Sequence, residues 1–153
     1  MSPREVSGHE TKPGTVRWKV HFTSAPSEVY RALSTPLGRS RFWALSAKES
    51  DGVIHFIEPR GRTGESPIEE AVKDQLYVVR YFGRLVAFEL APGNAGTGTD
   101  LTLTAGGNSE PDEATSAGWV SLLLRLKASV DFGVDLRNHD ADKTWWHGYA
   151  EGS

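Results

Sequence analysis

The amino-acid sequence predicts an α+β domain in which a curved antiparallel sheet of about six strands wraps one long C-terminal helix, with two short helices after the first strand. Three observations predict it. Near the start, Val16, Trp18, Val20 and Phe22 alternate with Arg17, Lys19 and His21, the period of two of a half-buried strand. The middle of the chain is a run of β-prone segments separated by short turn signals, a spacing that pairs strands antiparallel. From Pro111-Asp112-Glu113 the period changes, and Trp119, Leu122, Leu123, Leu126, Val130 and Val134 form a stripe at i, i+3, i+4 and i+7, the face of an amphipathic helix.

Residues 1–14 are rich in Ser, Pro, Gly and charge of both signs, which reads as a flexible leader and not as a secretory signal. After the first strand, Pro26 suits a first helical position and Glu28 a first turn, with Val29 and Leu33 on one face. Pro36 and Gly38 interrupt that helix, and Leu37, Arg41, Phe42 and Trp43 suggest a second short one ending in an aromatic pair. The pair is too short and too weakly basic to read DNA.

The meander is predicted over residues 52–57, 67–73, 75–82, 85–91 and 99–105, with Gly61-Arg62-Thr63-Gly64 and Pro92-Gly93-Asn94 as turns. Gly96-Thr97-Gly98-Thr99 precedes a strand instead of opening a helix, so it reads as a turn and not as a phosphate loop. The final helix, if continuous over 112–138, runs on the order of 40 Å. Only the concave face of the meander is long enough to bury its stripe. The domain therefore spans 15–139, followed by a tail, 140–153, in which Trp145, Trp146 and Tyr149 fall within five residues. Such aromatics are costly in water, so the tail packs on the body or forms a homodimer contact.

Composition bounds the function. With 153 residues, 38% hydrophobic and 24% charged, the chain has the make-up of one globular domain. Zero cysteines exclude disulfides, thiol catalysis and cysteine-ligated zinc. A net charge of −3, with scattered Lys and Arg, argues against a nucleic-acid partner. No stretch approaches the length of a membrane span. The expected compartment is the cytoplasm, and no cofactor is expected.

Val20-His21-Phe22 leading into Ala25-Pro26-Ser27-Glu28-Val29-Tyr30-Arg31-Ala32-Leu33, then Phe42-Trp43, then Gly98-Thr99-Asp100-Leu101-Thr102-Leu103-Thr104, then Gly118-Trp119 with Leu122, Leu123 and Leu126, resembles the START-like helix-grip superfamily, also called SRPBCC. The nearest likeness is to homologues of the activator of the heat-shock-protein-90 ATPase. The resemblance covers about residues 15–138, and it is the order of the pieces that makes it specific. The ending Arg137-Asn138-His139-Asp140, with Thr144-Trp145 and Gly148-Tyr149, looks like a tail found on bacterial members.

What the resemblance implies is an incomplete sheet gripping the last helix around a cavity. Its relatives carry lipids, bind plant hormones, cyclise polyketides or assist a chaperone, and fold alone does not choose among these. On this basis Trp18, Phe42, Trp43, Tyr81, Phe88, Trp119, Leu122, Leu123 and Leu126, with Tyr77, are the expected lining for a small apolar or aromatic ligand. A plain aromatic core is the competing reading. A cyclase-like or dehydratase-like enzyme would use the same cavity, and a chaperone-docking protein would use the tail.

Candidate acid–base groups are His55, Arg80 and Tyr81. His55 shares a strand face with Val53 and Ile57, and a structural role competes with a catalytic one. Tyr77, Val79 and Tyr81 share one face of their strand and Val78, Arg80 and Phe82 the other, so Arg80 is either buried against a carboxylate or an anionic ligand, or solvent-facing. Asp131, Asp135 and His139 lie at i, i+4 and i+8 of the expected helix, a permissible metal spacing that reads better as a solvated face. No metal is expected.

Overall fold

The structure, a computed structural model, describes residues 14–106 and 113–151, without the side chains of Arg60, Glu113 and Ala114. The expected leader lies outside the described residues except for Gly14. Strand β1 (Val16–Phe22) leads into helix α1 (Pro26–Ser34) and helix α2 (Pro36–Ser40). Six more strands follow: β2 (Ser46–Ser50), β3 (Val53–Ile57), β4 (Thr63–Val72), β5 (Leu76–Tyr81), β6 (Arg84–Pro92) and β7 (Thr99–Ala105). Helix α3 (Glu113–Phe132) closes the domain, and a single 3₁₀ turn, Trp145–His147, interrupts the tail.

All pairings are antiparallel, in the order β1-β7-β6-β5-β4-β3-β2. β7 returns to pair with β1, Val16 opposite Ala105 and Phe22 opposite Thr99. A register shift between Ile68 and Glu70 bends β4 and adds local twist. The sheet has seven strands, one more than the segments read from the sequence. The additional strand, β2, contributes only Ala47 to the buried set, and an edge strand of Ser, Lys and Glu carries no apolar alternation to betray it.

The concave face presents Phe22, Ile54, Phe56, Val79, Phe88, Leu101 and Leu103, all almost fully buried, against Leu122, Leu123 and Leu126 of α3. Each buried side chain of this size contributes about 1.5–3 kcal/mol, which makes the sheet-to-helix layer the dominant stabilising contact. Asp131 ties the end of α3 to the end of β1, accepting from the Thr23 and Ser24 backbone N–H groups at 3.0 and 3.1 Å. No helix among the described residues is long and apolar enough to cross a membrane.

Helix α3 stops at Phe132, six residues before the predicted end. Gly133 takes φ +64, a left-handed conformation that glycine adopts without steric cost. Its N–H and that of Val134 then bond to Ser129 and Ala128 carbonyls. Val134 is consequently exposed and off the stripe. Asp131, Asp135 and His139 do not share a helix face. Asp131 holds the start of α1, whereas Asp135 bonds Arg137 at 3.0 Å and His139 at 2.5 Å.

Candidate functional site

A cavity of about 350 Å³ opens between α3, the β5–β6 hairpin, the segment before β4 and the tail. Trp43, Trp119 and Leu122 supply apolar wall, and Trp145 and Trp146 close it from the tail side. Trp43 is the hub of the aromatic packing, with ring centroids 5.0 Å from Phe56, 5.4 Å from Tyr81, 5.6 Å from Phe88 and 5.8 Å from Phe42. Edge-on and tilted arrangements of this kind are the ones aromatic quadrupoles favour. The two tail indoles stack on one another at 4.1 Å.

The polar lining is specific. Tyr81 donates its hydroxyl to Glu58 Oε2 at 3.0 Å. Burial raises the Glu58 carboxyl above its ordinary value, although the Tyr81 hydrogen bond and the charges of Arg62 and Arg125 pull the other way. Burial and the neighbouring Glu58 also push the Tyr81 phenol upward, so it stays protonated. Arg125 enters from α3 with only 5% of its surface exposed. It donates from Nη1 to the Phe42 carbonyl at 2.9 Å and from Nε to the Ser121 carbonyl at 3.3 Å. Burial and the nearby Arg137 bring its guanidinium down to about 10, still charged at neutral pH.

At the mouth, the β5–β6 turn places Phe82 at φ +48, a conformation that bulky residues adopt only where surrounding structure imposes it. The Phe82 ring carries the Arg62 guanidinium 3.7 Å from its centroid, a cation–π contact that holds the cation over the opening. The Trp43 indole Nε1 is fully buried, and its N–H interacts with the Tyr81 phenol.

A larger hollow of about 910 Å³ lies on the other side of α3, between Val120, Leu124, Leu136 and Tyr149. It is an apolar groove, and among the described residues its lining carries one charged side chain, Glu151.

No family model matches the chain. An aminomethyltransferase of Stenotrophomonas maltophilia strain R551-3 is 36% identical over 116 residues, which covers 74% of this chain and 30% of that protein. The chain thus spans about 30% of the length of the curated relatives it matches. Solved structures align over much more of their own length. A Staphylococcus saprophyticus protein superposes with TM-score 0.71 and 22% identity, over 80% of this chain and 96% of the other. The Aha1 dimer from Colwellia psychrerythraea gives TM-score 0.67 and 16% identity, over 78% and 97%. The fold is the START-like helix grip. DynU16, a protein in the dynemicin biosynthetic locus, shares it at TM-score 0.66 and 16% identity, over 81% of this chain and 49% of its own.

Within this helix grip, Trp43, Tyr81, Trp119 and Leu122 of the predicted lining face the cavity. Phe42, Phe88, Leu123 and Leu126 sit behind it in the core, as does Tyr77. Trp18 lies at the sheet edge, 37% exposed, its indole donating to Ser116 Oγ at 3.2 Å. His55 and Arg80 are on the convex face, opposite Glu65 at 3.5 Å and Glu69 at 3.2 Å. Neither reaches the cavity.

Arg62, Arg84 and Arg125 were not singled out as site residues by the sequence, and Glu58 drew notice only as a possible acidic partner of His55. Glu58, Arg62 and Arg84 flank turns, where polar residues are unremarkable. Arg125 alone left a trace, because a charged residue three positions after Leu122 and one before Leu126 interrupts the edge of the apolar stripe.

Proposed function

We propose that this chain binds a small apolar or aromatic molecule in the cavity between the sheet and α3. The observation that carries the reading is the cavity itself, about 350 Å³ in volume and walled by indole rings, with a few placed polar groups. That is the make-up of small-molecule sites, which run from about 300 to 1,000 Å³. The fold shared with DynU16 is further support. Native mass spectrometry of protein purified from its own host tests it. A mass excess lost on denaturation is the expected result. An apo mass, together with no response of the five tryptophans to a panel of aromatic ligands, counts against it.

A second reading is favoured by the Tyr81–Glu58 pair. A carboxyl raised by burial and hydrogen-bonded to a phenol inside a cavity is a candidate for proton transfer. In this reading the chain is a cyclase-like or dehydratase-like enzyme, with Glu58 moving the proton and the walls folding the substrate. Product distribution from candidate substrates with Glu58→Gln and Tyr81→Phe tests it, since unchanged products in both variants exclude the role. Self-association through the tail has its own support in Trp146, 69% exposed, and in the dimeric state of the Colwellia Aha1 structure.

A further inference from the structure

Three arginine residues among those described are buried: Arg39, Arg125 and Arg137. Arg39 reaches Glu49 at 3.2 Å and Arg137 reaches Asp135 at 3.0 Å. Arg125 makes no ion pair among the described residues, and its hydrogen bonds go to two neutral carbonyls. Glu58 and Asp135 favour its charge from beyond ion-pair distance, and a buried guanidinium without a direct ion pair carries a desolvation cost that carbonyl contacts only partly offset. Its Nη2 group makes no hydrogen bond among the described residues, and the side chain lines the cavity.

The remaining lining points the same way. Arg62 and Arg84 also face the cavity, with no ion pair among the described residues. Arg62 rests on the Phe82 ring, and Arg84 makes one long contact, 3.5 Å, to the Gly106 carbonyl. Among the described residues, three guanidinium groups of the lining thus stand against one carboxylate, Glu58, which already accepts from Tyr81. The cavity is rich in donors and positive charge and short of acceptors, so its polar end is complementary to an anion. Guanidinium groups match the planar geometry of a carboxylate.

Resting on the ligand-binding reading, we infer that the ligand is a ring-bearing organic anion. Its rings lie against Trp43 and Trp119, and its carboxylate takes the open donors of Arg125, with Arg62 and Arg84 drawing it in at the mouth.

The test compares 2-naphthoate with 2-naphthamide, equal in ring system and size but differing in charge, by titrating each into the full chain at pH 7 and following the tryptophan indole N–H resonances. The acid is expected to bind at least about tenfold more tightly than the amide, as a charge-assisted contact in a low-dielectric site demands. Arg125→Gln is expected to abolish that preference, weakening the acid far more than the amide. Should Arg125→Gln fail to fold, the Arg62→Gln/Arg84→Gln double variant decides, with a loss of several-fold in acid affinity alone expected. Equal affinity for acid and amide, or an acid preference unchanged in the variants, overturns the anion inference and leaves the cavity reading standing. No response to either compound at millimolar concentration overturns both.

Discussion

The Tyr81 hydroxyl and the Glu58 carboxyl share a hydrogen bond of 3.0 Å inside the cavity, and burial acts on both in the same direction. It raises the Glu58 carboxyl and the Tyr81 phenol alike, so the proton of the bond belongs to Tyr81 and the carboxylate is ionised at a cost. The native state then holds a proton on Glu58 at pH values where the unfolded chain has lost it. Stability from this group is fully present below the unfolded carboxyl value and falls as pH rises through the higher folded one. Glu58→Gln keeps an acceptor for Tyr81 and removes the titration. We expect the variant to melt above wild type at pH 7 and to lack the wild-type decline above about pH 4. Parallel melting curves across that range in differential scanning calorimetry would show that Glu58 is solvated.

Arg39 is the second buried group with a clear consequence. Its side chain, 0% exposed, donates to the Ala47 carbonyl from Nε and Nη2 at 3.2 and 2.9 Å, and from Nη1 to the Leu33 carbonyl at 3.1 Å. Tyr77 Oη, at 3.2 Å, completes the anchor, and the phenol is pushed up to about 12, chiefly by burial. One guanidinium therefore ties α1, α2, β2 and β5 together. Arg39→Met leaves two buried carbonyls without donors, a loss on the order of 3 kcal/mol. Arg39→Lys recovers little of it, because an ammonium cannot reproduce the fork. Urea denaturation measures both, and a loss under about 1 kcal/mol for the Met variant would mean that water takes over these carbonyls.

The contrast between Arg39 and Leu126 shows where the sequence was legible. The stripe through Leu122 and Leu126 and the alternation of β1 are periodic, and period translates directly into a buried face. The helix-grip order of elements followed from them. Arg39, Arg125 and Glu58 are single polar residues whose burial depends on contacts 8 to 83 positions away, which no local pattern encodes. His55 and Arg80 drew attention as residue types with useful chemistry, yet the strand's period of two put both on the convex face. Trp18 keeps the right parity but lies at the sheet edge, where α3 covers it only in part. The early end of α3 was signalled by Gly133, a helix-stop residue that the apolar count through Val134 outweighed.

The seat of the tail on α3 is a close approach at Gly118. A Cβ built there would stand 3.4 Å from Trp145 Cζ2 and 3.6 Å from its neighbours, ordinary contact for one methyl group and no room for more. Gly118→Ala is expected to be neutral or stabilising by about 0.5–1 kcal/mol, since it removes a mid-helix glycine. Gly118→Leu is expected to dislodge Trp145 and, with it, the stacked Trp146 that closes the cavity. Limited proteolysis within residues 140–151 should speed up in the Leu variant and not in the Ala variant. Equal cleavage rates would mean that the Trp145 contact does not hold the tail.

Asp135 governs what happens in acid. Burial alone would raise its carboxyl, but hydrogen bonds from the Arg137 side chain, His139 and the Arg137 backbone outweigh it and hold the group down to about 2, against an ordinary value of 3.8. A depressed folded value means stability that is present above the unfolded value and lost as pH falls from about 4 through about 2. The partner makes the loss matter. Arg137 is buried and also donates to the Ala44 and Ser40 carbonyls at 3.0 and 2.8 Å, so the charge of Asp135 fastens the segment after α3 to the end of α2. With the carboxylate 41% exposed, solvent screening limits the contribution to about 1 kcal/mol. Asp135→Asn is therefore expected to be about 1 kcal/mol less stable than wild type at pH 7, with the gap closing as pH approaches 2. Denaturant unfolding at pH 7, 4 and 2.5 measures that gap. A difference that stays constant with pH would assign the loss to packing of the amide and not to the ionised pair.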